Sequence, residues 1–318
     1  MVFEFAVEPE LVATCGEPHN YRYFYEKFGI GQPRIMSEYP KFQNWRRQVL
    51  RAASGKDGLE LSRIVEMIAM LSEARIPRKT DGYDGNISWL ENAEQENNIL
   101  PFHAILALSN PRNHPSILNG SELGISKNLK WDMNRQLSAV PRKASDMARA
   151  VRPLLHNCHT AIFIDPFVMA RDNWQKWQHP FESFMQELPI TRYKCSDLRI
   201  EYHAAADIQY ACSAELFKQR CMERLSVCIP TGLSVCFKRW TQKPGGEKLH
   251  DRYIITDIGG VNFSIGLDEG ADGETQKISL LEKNTYETVW NDYVSGRPAF
   301  NLAAEDEFTI PDCKNVFQ

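Results

Sequence analysis

Hydrophobic positions in the second half of the chain form short apolar runs that alternate with longer segments of helical spacing. Short runs rich in β-branched residues predict strands, and apolar residues that recur every three to four positions predict helices. The predicted strands are Thr160–Ile164, Leu198–His203, Leu233–Phe237, Tyr253–Thr256 and Val261–Phe263, and the predicted helices are Ser145–Leu155, Trp174–Leu188, Ala206–Leu225 and Asn284–Tyr293. This alternation predicts an α/β domain over residues 146–318, with a mixed, mainly parallel sheet sandwiched by helices.

The first part of the chain has a different pattern, in which helical periodicity dominates. The predicted elements are two amphipathic helices, Lys41–Ser54 and Leu59–Ala74, a buried strand, Ala104–Leu108, and a weak strand over residues 2–7. Residues 75–100 and 110–128 are polar and rich in turn-forming residues. We therefore predict a mainly helical N-terminal interaction domain over residues 1–145.

Composition and charge limit the kinds of ligand and the cellular location that we expect for this protein. The chain has 318 residues, of which 43% are hydrophobic, and a formal net charge of −4, so a polyanion would have to bind at a local basic patch. It has no leader-like start and no apolar run of membrane-spanning length, and its eight cysteines are scattered without a C-x-x-C pair. These features predict a cytoplasmic protein that does not enter a membrane.

A histidine, an arginine and an aspartate follow one another at a notable spacing in the sequence LHDRYIITD. His250, Arg252 and Asp257 form the pattern H-x-R-x4-D, and we expect His250 and Arg252 on one strand. Residues two apart on a strand point to the same face, so both side chains could contact one phosphate. A histidine nitrogen can attack phosphorus, and arginine binds phosphate oxygens bidentately. Asp257 either orients the imidazole or is a turn residue before Ile258 and Gly259.

This pattern resembles the phospholipase D signature H-x-K-x4-D, with Arg252 in place of the lysine. The run His250-Asp251-Arg252-Tyr253, followed by Gly266-Leu267-Asp268, is also similar to the phospholipase D-like C-terminal domain of MIT-domain proteins and to HDRY-type modules of bacterial conflict systems. The resemblance implies a histidine nucleophile and half of a phospholipase D fold over the C-terminal domain. In the HDRY-type relatives Asp-Pro-Phe or Asp-Pro-Tyr recurs at the end of the first strand, which here is Asp165-Pro166-Phe167. Because ligands of open α/β sheets bind outside the carboxyl ends of strands, we expect Asp165 to face the same crevice as His250.

Further residues are predicted to bind phosphate or substrate near this motif. We expect Gly259 and Gly260 to form a hairpin turn, which would bring Ser264, Asp268 and Glu269 beside the site. Arg239 precedes the motif and either adds a cationic contact or lies on a solvated strand edge. His156 and His159 have the spacing H-x-x-H but no carboxylate completes a metal site, so we predict neither a metal nor a cofactor.

Two functions remain open at this point. The first is a metal-independent phosphodiesterase, most simply a nuclease of a prokaryotic defence or DNA-processing system. A second phosphate-directed histidine would then come from a homodimer, because the chain carries one such motif. The second function is a catalytically inactive module that binds nucleic acid or phosphate ligands and scaffolds a complex with a helicase or ATPase. The arginine at position 252, and the sequence Ser264-Ile265-Gly266-Leu267 where catalytic relatives have G-S-x-N, favour the second.

Overall fold

The chain folds into two compact units that divide at Arg135 and Gln136. The computed structural model describes residues 2–79, 82–125, 127–168, 174–190, 194–209, 211–294 and 298–312. The predicted boundary between residues 145 and 146 lies inside a helix of the second unit. The division falls earlier because a strand over residues 136–141 pairs with the second unit's sheet. That strand escaped prediction because all six of its residues are exposed or half-buried.

The first unit is an α/β unit built on a parallel sheet. Its strands are β1 (Phe3–Val7), β2 (Arg34–Glu38), β3 (Arg75–Pro77), β4 (Ala104–Ala107) and β5 (Ile117–Asn119), and its helices are α1 (Pro9–Ala13), α2 (Pro18–Tyr25), α3 (Phe42–Ala52), α4 (Gly58–Glu73) and α5 (Trp89–Ile99). All neighbouring strands are parallel, in the order β3-β2-β1-β4-β5. The strand order therefore reverses between β1 and β4.

Helices cover both faces of this first sheet. On one face Phe5 packs into a cluster with Trp45 of α3 and residues of α1, α2 and α4. On the other face Ala6 packs into a second cluster with Trp89 and Leu90 of α5. Consecutive residues of β1 thus enter opposite clusters, which is the pleat of a strand buried on both sides.

The helices α4 and α5 begin at capping boxes that can be found in the sequence. The Asp57 carboxylate accepts a hydrogen bond of 2.8 Å from the Glu60 N–H, and the Glu60 carboxylate accepts one of 3.2 Å from the Asp57 N–H. Ser88 and Glu91 repeat the arrangement at the start of α5. Each box satisfies backbone donors that lack an intrahelical partner.

The expected mainly helical character of the N-terminal domain is not confirmed, because a parallel sheet forms its core. Three of its strands lack an apolar signature: β3 and β5 have three residues each, and β2 has the sequence RIMSE. Arg34 of β2 is nevertheless buried, because its guanidinium lies 4.1 Å above the Trp131 ring and bonds the Trp131 carbonyl. Because β2 has polar residues at buried positions, the hydrophobic pattern of the sequence did not predict it as a strand.

The second unit contains a larger sheet. Its strands are β6 (Gln136–Pro141), β7 (Thr160–Ile164), β8 (Arg199–Ala205), β9 (Ser234–Thr241), β10 (Tyr253–Thr256), β11 (Gly259–Phe263), β12 (Thr275–Leu280) and β13 (Asn301–Pro311), and its helices are α6 (Ala144–Leu155), α7 (Gln175–Gln186), α8 (Ala214–Leu225) and α9 (Lys283–Tyr293). The strand order is β13-β9-β8-β7-β10-β11-β12-β6. Among the helices of the described ranges, none is both long and apolar enough to cross a membrane.

The second sheet is mixed, as expected, but it is not mainly parallel. Only β7 with β8 and β8 with β9 are parallel pairs in the described sheet, and the other neighbours are antiparallel. The predicted hairpin between β10 and β11 is present, with Asp257 and Ile258 as its turn and Gly259 and Gly260 within β11. A Cβ on Gly260 would lie 2.9 Å from a methyl carbon of Ile255, so close approach requires the glycine there.

A row of aromatic rings forms the core of the second unit on the side of the sheet that α7 and α8 cover. Phe163 of β7 stacks on Tyr202 of β8 with ring centroids 5.5 Å apart, and Tyr202 stacks on Phe237 of β9 at 6.0 Å. The row continues to Phe308 of β13 at 5.6 Å. All four side chains are buried. This packing fixes the central strands, whose ends carry the candidate site.

Candidate functional site

The candidate site lies at the carboxyl end of β7, where the chain also enters β10. The two strands are antiparallel, and Ile164 at the end of β7 pairs with Tyr253 at the start of β10. Asp165 directly follows β7 and Arg252 directly precedes β10, so the register makes these two residues neighbours. Residues opposite each other on neighbouring strands point to the same face. The structure therefore brings together two of the residues predicted for the site.

Asp165 is fully buried, and backbone groups hold its carboxyl in place. One oxygen accepts a hydrogen bond of 2.9 Å from the Phe167 N–H, and the other accepts one of 2.9 Å from the Leu267 N–H. Burial raises the pKa of the Asp165 carboxyl to about 7, while the two hydrogen bonds and the charge of Arg252 act in the opposite direction. A carboxyl of this pKa changes charge near neutral pH.

Arg252 carries an unused hydrogen-bond donor beside this carboxyl. Its Nε is buried and has no hydrogen-bond partner among the described residues, and its Cζ lies 5.0 Å from the centre of the Phe167 ring. Its backbone carbonyl accepts a hydrogen bond of 2.9 Å from the Phe263 N–H, which fixes the start of β10. Arg252 as a whole is half-buried, and a guanidinium with a buried, unsatisfied N–H can bind an anionic oxygen.

His250 is the accessible member of the motif. Its side chain is 77% exposed, and its Nδ1 lies 3.7 Å from an oxygen of the Asp251 carboxylate. The other oxygen of Asp251 accepts a hydrogen bond of 2.9 Å from the Tyr253 hydroxyl. The expectation that His250 and Arg252 lie on one strand is wrong, because both precede β10, which begins at Tyr253. His250 is anchored instead through its neighbour Leu249, which is buried.

Asp257 lies at the opposite end of β10 from Arg252. Five residues of extended chain separate their Cα atoms by roughly 17 Å. One carboxylate oxygen of Asp257 accepts hydrogen bonds from the N–H groups of His159, at 2.8 Å, and Thr160, at 3.0 Å. Of the two roles predicted for Asp257, the structure shows that of a turn residue. Asp257 lies in the turn between β10 and β11, and its carboxylate bonds the backbone at the start of β7.

Two acidic residues of the predicted set lie on the loop that contacts Asp165. Asp268 forms an ion pair of 2.6 Å with Arg142. One oxygen of Glu269 accepts a hydrogen bond of 2.9 Å from the Ala144 N–H at the start of α6, and its other oxygen lies 3.0 Å from Nδ1 of His179 on α7. These contacts fix the loop that supplies the Leu267 N–H to Asp165.

Two further predicted residues are engaged elsewhere. The Ser264 hydroxyl accepts a hydrogen bond of 3.0 Å from the Lys277 N–H, which extends the pairing of β11 with β12. Arg239 of β9 is buried, with its Nε 3.3 Å from the Asp306 carboxylate and its guanidinium 5.0 Å from the ring centre of Phe217. It is therefore not on a solvated strand edge, and neither of these contacts involves the motif.

Several contributors to the site were not predicted. Arg142, between β6 and α6, and His179 of α7 contact the loop, and nothing in the local sequence distinguishes them from other basic residues. Phe167 and Asp251 are adjacent to predicted residues, so the motifs Asp-Pro-Phe and His-Asp-Arg-Tyr contained a signal for them. In the described parts of the chain, no group of three or more His, Cys, Asp or Glu side chains is arranged to hold a metal ion.

Anion affinity at Arg252 is expected to rise as the pH falls through about 7. Above that pH the ionised Asp165 offsets the charge of Arg252, and protonation removes that negative charge. Asp268 also acts on Asp165, but it is paired with Arg142. Sulfate suits the test because its charge does not change in this range, and calorimetric titration in a His250→Ala background removes the neighbouring imidazole. Asp165→Asn should flatten the profile; an equally steep profile would contradict the assignment.

Comparison with known proteins gives no family for this chain, because no family model and no curated protein matches it.

Proposed function

We propose that the second unit is a phosphate-directed module of the phospholipase D type and that the chain is a metal-independent phosphodiesterase acting on nucleic acid. The observation that carries this proposal is the buried Nε of Arg252, which has no hydrogen-bond partner among the described residues and lies two residues along the chain from the exposed imidazole of His250. A fixed cation next to an accessible nucleophile is the combination that phosphoryl transfer through a histidine requires. The resemblance of the run His250-Asp251-Arg252-Tyr253 to HDRY-type modules supports the same reaction.

The proposed reaction has two steps. A ring nitrogen of His250 attacks phosphorus, forming an N–P bond while the P–O bond to the leaving oxygen breaks, and that oxygen takes a proton from a general acid. A water molecule then attacks phosphorus and gives a proton to the conjugate base of that acid, the N–P bond breaks and the histidine is restored. Arg252 donates hydrogen bonds to the non-bridging oxygens in both steps. Asp251, 3.7 Å from His250, takes the orienting role that the sequence suggested for Asp257.

The general acid of the first step is proposed to come from a second copy of the chain. Only one H-x-R-x4-D motif is present in the sequence, and a two-fold axis that passes beside His250 would place this residue of both copies at one site. His250 of the second copy would then protonate the leaving oxygen. Activity is accordingly expected to depend on protein concentration in the range where the dimer dissociates.

The proposed substrate is a polymer because the side chain of the nucleophile, His250, is exposed. A side chain that is 77% exposed can reach a phosphodiester within a long strand, whereas a small substrate gains more from an enclosed pocket. Lys248, on the exposed segment that leads to His250, supplies a second cation for the backbone of such a strand.

A second candidate function is a non-catalytic module that binds phosphate groups and scaffolds a complex containing a helicase or ATPase. The observation that favours it is the Ser264 hydroxyl, which accepts a hydrogen bond of 3.0 Å from the Lys277 N–H and so serves the pairing of β11 with β12. This function keeps the role of Arg252 but gives His250 no covalent step. Either function fits the proposed setting in a prokaryotic defence or DNA-processing system.

Arg252→Ala is expected to weaken binding of a short oligonucleotide by about tenfold to a hundredfold, the cost of losing a hydrogen bond from a charged donor. Arg252→Lys should lie between this variant and the wild type, since lysine keeps the charge without the bidentate fork. The control is Arg149→Ala, which removes a 71% exposed arginine of α6. Fluorescence anisotropy measures the affinities, and equal losses in the Arg149 and Arg252 variants would contradict a specific contact.

The experiment that separates the two functions is cleavage of labelled single-stranded and double-stranded DNA and RNA with EDTA present. The phosphodiesterase proposal expects cleavage of at least one polymer that chelation does not reduce. Binding of a polymer without cleavage, at protein concentrations that give a dimer, would overturn the enzyme and leave the binding module. Cleavage that EDTA abolishes would overturn the metal-independent mechanism.

A further inference from the structure

A cleft of about 770 Å³ opens in the first unit where the strand order reverses. It is lined by Glu10 of α1, which follows β1, and by Leu108, which follows β4. Arg51 of α3 and Trp89 of α5 line it from the helices on the two faces of the sheet. Ligands of open parallel sheets bind at the carboxyl ends of the strands at such a reversal, and this volume is typical of small-molecule sites.

The cleft contains a cation with no partner of its own. Arg51 is exposed, and its side chain makes no hydrogen bond or ion pair that involves the described residues. The other lining cation, Lys56, is paired with Glu60 at 2.9 Å. Arg51 is therefore the side chain in this cleft that is best placed to bind an added anion.

Groups that suit hydroxyls and a flat ring line the same cleft. Glu10 presents an exposed carboxylate, which accepts hydrogen bonds from hydroxyl groups. The Tyr83 hydroxyl accepts a hydrogen bond of 2.9 Å from the Gln48 amide, so its own proton remains available to a ligand. The Tyr83 ring and the exposed side chain of Leu108 offer apolar surface.

The end of β1 shows why an anion would bind at Arg51 and not at the start of α1. The Glu8 carboxylate accepts a hydrogen bond of 2.6 Å from the Leu108 N–H, and the Glu8 N–H bonds the Leu106 carbonyl at 2.9 Å. Glu8 thus occupies the gap between β1 and β4 with a carboxylate of its own. An anion at that position would be repelled, whereas Arg51 of α3 offers a positive charge.

We propose that this cleft binds a nucleotide. Its phosphate would contact Arg51, its ribose hydroxyls would donate to Glu10, and its base would pack against Tyr83 and Leu108. A simple anion would not use the carboxylates of the lining, and an apolar ligand would leave Arg51 and Glu10 unpaired. A nucleotide combines an anionic phosphate with neutral hydroxyls and a flat ring, and so matches all three kinds of group. This inference concerns the first unit and does not depend on the reaction proposed for the second.

Calorimetric titration of the full chain with AMP, adenosine and inorganic phosphate tests this inference. AMP is expected to bind saturably and more tightly than either fragment. Arg51→Ala should weaken AMP binding about tenfold or more, whereas Arg46→Ala, on another side of α3, should leave it unchanged. Ala52→Trp is designed to fill the cleft from an exposed position and should abolish binding.

Arg252→Ala distinguishes the two units, because the second unit is itself proposed to bind phosphate groups. AMP affinity that falls in Arg51→Ala and is kept in Arg252→Ala would support a nucleotide site in the first unit. Affinity that falls in Arg252→Ala and is kept in Arg51→Ala would overturn it, as would the absence of saturable AMP binding. Equal affinity for AMP and adenosine would show that the phosphate of AMP makes no favourable contact, and it would overturn the role of Arg51.

Discussion

His250→Ala is expected to abolish phosphodiester cleavage, with a loss of about 10⁴-fold or more. Losses of that order follow the removal of a nucleophile in hydrolytic enzymes, because the covalent route disappears. The substitution should leave the fold intact, since the imidazole is 77% exposed and its nearest charged neighbour is the exposed carboxylate of Asp251. Cleavage rates of a labelled oligonucleotide with EDTA, measured at matched dimer content, give the comparison.

The control for this prediction is His19→Ala, which removes an exposed histidine of the first unit and should leave the rate unchanged. Asp257→Asn gives a second comparison, because the structure places Asp257 in the β10–β11 turn. It should lower stability more than the rate per folded molecule. A His250→Ala variant that still cleaves at a tenth of the wild-type rate or faster would exclude His250 as the nucleophile.

Phe163→Ala is expected to lower the free energy of unfolding by about 3–5 kcal/mol, the usual cost of truncating a buried phenylalanine. The side chain is fully buried and stacks on Tyr202 and against Phe184, each with ring centroids 5.5 Å away. Truncation therefore leaves a cavity at the β7 end of the aromatic row, next to Tyr202 and Phe184. Urea denaturation followed by tryptophan fluorescence and circular dichroism measures the change.

The matched control is Val227→Ala, at a position of the same unit that is 62% exposed. Its free energy of unfolding should stay within about 0.5 kcal/mol of the wild type. Phe163→Leu should fall between the two variants because it keeps part of the buried volume. A Phe163→Ala variant as stable as the Val227→Ala control would show that the aromatic row does not support the second unit.

The hydrophobic pattern predicted the central strands of the second unit better than its edges. β7 was placed at its observed bounds, because Thr160–Ile164 is a short apolar run whose last four residues are buried. The outer strand β13 has the sequence NLAAEDEFTIP, and most of its residues are exposed or half-buried. An edge strand with so few buried apolar residues leaves too short an apolar period to predict a strand, here Phe308 and Ile310 alone. The same reason explains why β6 was missed.

The parallel sheet of the first unit was obscured for a different reason. Its strands have three to five residues, and polar residues such as Arg34 and Ser37 are buried within β2. Their partners, among them Trp131 for Arg34, are distant in sequence. The hydrophobic pattern of a short segment contains no information about partners that are distant in sequence. The first unit was therefore predicted mainly from its helices.

The candidate site was predictable only as far as its residues are adjacent in sequence or follow a strand. His250 and Arg252 are two residues apart, and the position of Asp165 after a strand suggested the shared crevice. The ion pair of Asp268 with Arg142 joins residues distant in sequence. Asp257 has the spacing of the motif but lies at the far end of β10, because a strand advances about 3.4 Å per residue. The spacing of a motif does not show how many of the intervening residues are extended, and so it does not give the distance between the residues of the motif.

The proposed phosphodiesterase is tested most directly by looking for the covalent intermediate on His250. The chain would be mixed with an oligonucleotide substrate and EDTA, quenched at alkaline pH, which preserves phosphohistidine, digested and analysed by mass spectrometry. The proposal predicts a nucleotidyl or phosphoryl adduct on the peptide that contains His250, absent when substrate is omitted and absent from His250→Ala. Substrate cleavage without that adduct, at quench times within the first turnover, would contradict it.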